Sequence, residues 1–85
     1  LRFPLKGFDE LAEHLAFHHN ASLMGVNIKW DGEGYFVILK AVVGDNDMVH
    51  FTGGRTFGDA VEALFWEVQA TSISWRNDRY GRQKP

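Results

Sequence analysis

At 85 residues the chain makes one domain with a thin core: a chain this short buries only about 60–65% of its unfolded surface, which leaves no room for a deep pocket. A hydrophobic share of 45% and a charged share of 24% exclude disorder, and the lack of cysteine excludes both disulfides and a thiolate metal site. The net charge of −2 divides unevenly: residues 1–75 hold five bases and ten acids (−5), and residues 76–85 hold four bases and one acid (+3). No apolar run approaches the roughly 18 residues a membrane span needs, and no signal-peptide pattern opens the chain, so a cytoplasmic setting is expected. The first residue is Leu1 rather than methionine, which points to a trimmed or processed N-terminus.

Pro4 keeps the first segment extended, because proline disfavours helix in the residue before it. From Phe8 the period becomes helical, with Phe8, Leu11, Ala12 and Leu15 at i, i+3, i+4 and i+7. Asp9 and Glu10 suit the first turn of a helix and Asn20 its end, so the spacing predicts a helix from Phe8 to His19. The stretch SLMGVNIKW then alternates, placing Val26, Ile28 and Trp30 on one face and Asn27 and Lys29 on the other. Two glycines in Asp31–Gly34 supply positive backbone angles for a hairpin turn. Tyr35 to Val43 is apolar on both faces, as a central strand or one with a covered second side would be. A further turn at Gly44–Asp47 leads to a third strand from Met48 to Thr52, which Gly53 and Gly54 break. Thr56 and Asp59 form a capping-box pattern, so a second helix starts at Phe57 and runs at least to Thr71 and as far as Trp75.

This order predicts an α+β domain, α-β-β-β-α, with a three-stranded antiparallel meander packed with two helices over residues 1–75 and a basic tail over 76–85. On the second helix Phe57, Val61, Leu64, Phe65, Val68 and Trp75 gather on a core face. A second stripe, Ala63, Trp66, Ala70 and Ile73, lies roughly opposite. A tryptophan among small residues on a surplus face is the composition of a binding surface, so these four are the candidate partner-binding residues. Phe17 is expected to be exposed on the first helix. The outer face of the second strand, or an edge strand, is a further docking surface unless one helix covers each side.

Chemistry is scarce. His14 and His18 stand i, i+4 with His19 beside them and Glu10 one turn earlier, a spacing that can chelate zinc but lacks a complete ligand set. His50 falls on a strand as an ordinary strand residue. Ser22, Ser72 and Ser74 sit in no glycine-flanked elbow, and the acid pairs Asp31/Glu33 and Asp45/Asp47 lie in turns, where local hydrogen bonding suffices to explain them. No catalytic residue and no cofactor is expected. The element order is shared with double-stranded-RNA-binding domains, whose second helix opens with a lysine cluster. Here that stretch offers only Arg55 against Asp59, Glu62 and Glu67, which argues against duplex binding. Nucleic acid therefore enters as an alternative through the tail, with Trp75 and Tyr80 stacking and Arg76, Arg79, Arg82 and Lys84 meeting phosphates.

The residues Asp31-Gly32-Glu33-Gly34-Tyr35-Phe36-Val37 and, later, Gly54-Arg55-Thr56-Phe57-Gly58-Asp59-Ala60 resemble the DG-x-GY-x-V hairpin and G-x-T-x-x-x-A helix start of HicB-like antitoxin domains, over residues 27–69. The resemblance implies a non-enzymatic domain that masks a small RNA-cleaving toxin and self-associates. The chain departs from that family in lacking the PGC stretch before the third strand, in carrying a whole helix ahead of the matching segment, and in lacking a DNA-binding motif after Trp75. A short phage or mobile-element protein that modulates a host factor fits the same features.

Overall fold

The computed structural model of the chain describes residues 7–70 and 73–77. It runs α1 (Phe8–His19), β1 (Ala21–Trp30), β2 (Tyr35–Val43), β3 (Asn46–Gly54), α2 (Phe57–Gln69) and β4 (Arg76–Asn77). The α+β class and the α-β-β-β-α order are as expected, with one addition: the antiparallel sheet has four strands in the order β1-β2-β3-β4. Arg76 and Asn77 pair with Val49 and Met48, so the first two residues assigned to the tail belong to the sheet.

α1 has the predicted bounds. Asp9 and Glu10 sit in its first turn, and Asn20 caps it in the left-handed conformation, its amide donating to the Leu15 carbonyl. β1 and β2 join through Asp31, whose Oδ1 accepts from the amides of Glu33 and Gly34 at 2.9 and 3.0 Å. Of the two glycines there, only Gly32 takes a positive φ (101°). Gly34 is required for another reason: a β-carbon on it would lie 2.8 Å from the Gly54 carbonyl oxygen. β2 and β3 join through Gly44 and Asp45, with a positive φ at Gly44 alone, the pattern of a type II′ turn.

Gly53 and Gly54 do not break β3. They pair with Phe36 and Tyr35 to the end of the ladder. Thr56 then caps α2, its Oγ1 accepting from the Asp59 amide at 3.0 Å. α2 stops at Gln69, short of the predicted Thr71 or Trp75, with the Ala70 amide bonded back to Trp66.

Both helices lie on one side of the sheet. Leu11 and Leu15 of α1 and Ala60, Leu64, Phe65 and Val68 of α2 bury against Ala21, Val37, Leu39 and Ala41. Phe57, assigned by period to this core face, is instead 55% exposed, touching the ring of Tyr35 edge-on. Trp75 does pack against the core, but from the segment beside β4 rather than from α2. Among the described residues no helix is long and apolar enough to cross a membrane.

Candidate functional site

Two surfaces stand out, one on each layer. On the helical layer, Trp66 is 42% exposed on α2, opposite a core face that is complete without it. Ala63 beside it is half-buried and Ala70 is exposed, so the residues next to the indole on this face are small. Ile73, the fourth residue predicted for this stripe, lies beyond the end of α2, half-buried against the core, and so does not extend the helical face. Phe17 is exposed on α1, as expected.

The other surface is the uncovered face of the sheet. Side chains alternate along a strand, so β2 turns Val37, Leu39 and Ala41 inward and Phe36, Ile38, Lys40 and Val42 outward. The register places Asn27 and Lys29 of β1, Asp47, Val49 and Phe51 of β3, and Arg76 of β4 on the same outer face. Phe36 and Phe51 are each 39% exposed and stack on one another, centroids 5.4 Å apart and planes 13° apart. The Arg76 guanidinium lies 5.7 Å from the Phe51 centroid, within cation–π range. Val49 is buried even here, paired in register with Lys40 on one side and Arg76 on the other. Beside the ring pair, where Gly53 presents no side chain, an open hollow of about 450 Å³ runs to Asp31 and Glu33.

Three histidines cluster near the end of α1. The His14 and His18 rings lie 4.3 Å apart and those of His14 and His19 5.9 Å. His19 Nε2 donates to the Val68 carbonyl at 2.9 Å, tying the end of α1 to the end of α2. His14 Nε2 is buried without a hydrogen-bond partner among the described residues. Burial first, then the neighbouring His18 and His19, hold its pKa below the ordinary 6.5, while the Val68 carbonyl acts weakly the other way. Among the described residues no group of three or more such side chains is arranged to hold a metal ion.

His50 is more than an ordinary strand residue. Buried on the inner face of β3, its Nε2–H donates to Glu67 Oε1 at 2.5 Å, and Thr52 Oγ1 donates to Glu67 Oε2 at 3.0 Å. His50 Nδ1 lies 3.3 Å from both the amide nitrogen and the carbonyl oxygen of Ser74, a contact that fastens the segment after α2 to the sheet. Sequence spacing carried no sign of this link, since it joins positions 50, 52, 67 and 74 only in the fold. With both ring nitrogens engaged, His50 braces β3 against α2 and the segment that follows it.

Of the tail residues assigned to nucleic acid, Arg76 lies on the outer sheet face. Trp75 is half-buried with its ring edge-on to His50 at 6.5 Å, so it does not stand out as a stacking surface. Arg79, Tyr80, Arg82 and Lys84 lie outside the described residues. No family model matches the chain, and no curated protein or solved structure shows significant similarity to it.

Proposed function

We propose that the chain is a small non-enzymatic module that binds a protein partner, itself included, through the outward face of α2 centred on Trp66. The observation that supports this reading is a large aromatic ring left 42% exposed on a helix whose core face is already filled by Ala60, Leu64, Phe65 and Val68. Burying such an anchor in a partner contributes roughly 2–4 kcal/mol, whereas an exposed ion pair contributes at most about 1. Ala63 and Ala70 let a partner approach the indole closely.

The resemblance of the Asp31–Val37 hairpin and the Gly54–Ala60 helix start to HicB-like antitoxin domains supplies the class of partner, a small RNA-cleaving toxin masked by this domain. Sedimentation velocity on the wild type and Trp66→Ala tests the reading. The wild type is expected to associate, and the variant to sediment as a folded monomer with unaltered circular dichroism. A wild type that stays monomeric at all concentrations, and recovers the same proteins in a pull-down as the variant does, would overturn it.

A further inference from the structure

Charge in this molecule is sorted by layer. The two helices carry six carboxylates, Asp9, Glu10, Glu13, Asp59, Glu62 and Glu67, and no lysine or arginine. The described residues contain four lysines and arginines, and three of them, Lys29, Lys40 and Arg76, lie on the outer face of the sheet. The strand positions of that face hold one carboxylate, Asp47, among the described residues. An acidic protein therefore presents one locally basic face, and at its centre lies the stacked pair of Phe36 and Phe51 with Arg76 over the second ring.

We propose that this face binds single-stranded nucleic acid, with bases packing against Phe36 and Phe51 and phosphates held by Lys29, Lys40 and Arg76. A groove that tracks an anionic backbone with bases, and aromatic rings that accept any base, are the two components of sequence-tolerant single-strand binding. The hollow over Gly53 supplies the space beside the rings, and it exists because the fold needs glycine there: a β-carbon would lie 2.7 Å from the Tyr35 carbonyl oxygen. Asp31 and Glu33 at the rim of the hollow repel phosphate, which sets the polarity, a base in the hollow and the backbone towards Lys40 and Arg76. In sequence, residues 78–85 add Arg79, Arg82 and Lys84 against Asp78.

A duplex is the poorer ligand, because its bases are already stacked and cannot reach the rings. A second copy packed face to face would set Lys29, Lys40 and Arg76 against the same three charges, which costs rather than stabilises. The surface is separate from Trp66, which lies on the opposite layer, so the two readings stand or fall independently.

Fluorescence anisotropy with labelled mixed-sequence RNA and DNA oligonucleotides, single-stranded and duplex, tests the proposal on the full chain. Single strands are expected to bind at low salt. Three charge contacts at about 0.7 each give a log–log salt slope near −2, an affinity loss of about twentyfold between roughly 50 and 200 mM salt. Phe51→Ala and Phe36→Ala should weaken binding about five- to a hundredfold. Phe51→Leu, which keeps the apolar contact but removes the ring, guards against loss of fold and should weaken binding in the same direction. Trp66→Ala should leave it unchanged, and the RNA and DNA arms show which sugar is preferred. The proposal is overturned by no binding of the folded protein at low salt, or by tighter binding of the duplex. It is also overturned if binding survives the ring substitutions but is lost in Arg79→Ala/Arg82→Ala/Lys84→Ala, or if Phe51→Ala dissociates a dimer without affecting oligonucleotide.

Discussion

Gly54 closes the corner where β3 turns into α2, and a β-carbon there would lie 2.6 Å from the Ala60 nitrogen and 2.7 Å from the Asp59 carbonyl carbon. Both are backbone atoms, so neither can rotate away. Gly54→Ala is therefore expected to destabilise the fold by about 1–3 kcal/mol. Gly25→Ala, where nothing lies within 4 Å, should cost far less. Urea denaturation of the pair checks this, and equal midpoints would contradict it. His14 makes a second prediction at this scale. Its folded pKa lies below the ordinary 6.5, so between the two values the unfolded chain binds more protons than the folded one. Stability should thus be full above about pH 6.5 and fall as the solution is acidified through that window. His14→Leu should flatten this part of the profile, and an unaltered slope would show that another group carries it. At this scale the sequence was partly legible. Asp31 and Gly32 announced their turn, and Asn20 its cap, because their chemistry is local. The His50–Glu67–Thr52 brace was invisible, because it depends on which residues the sheet and α2 bring together.

The elements themselves were legible wherever a periodic pattern met a chemical stop. α1 begins and ends as its spacing predicts, and α2 starts at its cap. Thr56→Ala removes the acceptor for the Asp59 amide and should cost about 0.5–2 kcal/mol, measured by thermal or urea unfolding. A loss below about 0.3 kcal/mol would show that the cap is redundant with the fit of Gly54 against the same turn. The misjudged boundaries have physical causes. Gly53 and Gly54 look like strand breakers, yet here glycine extends the ladder, since only a bare backbone can pass so close to Tyr35 and Ala60. The end of α2 carries neither glycine nor proline, so its period ran on in the sequence while the chain turned at Ala70. Phe57 matched the core period but falls in the first turn, where its described ring contact is Tyr35. β4 is two residues long, too short to carry any period of its own.

At the scale of the whole molecule, a two-layer domain of this length fills the space between its layers and leaves both outer surfaces to be accounted for. The sequence showed that α2 had apolar residues to spare and that β2 was apolar on both sides. It did not show that both helices would choose the same face, which is a matter of tertiary packing and is what leaves Phe36, Ile38 and Phe51 outward. The result is a molecule with an acidic helical side bearing Trp66 and a basic, aromatic sheet side. The protein-docking reading turns on the helical side and is tested most directly by fluorine NMR of chain labelled with 5-fluorotryptophan, assigned by substitution, with a soluble paramagnetic agent present. The account predicts that the Trp66 signal is broadened by the agent in dilute protein and becomes shielded as the chain associates or takes its partner. A Trp66 signal already shielded in the dilute monomer would contradict it.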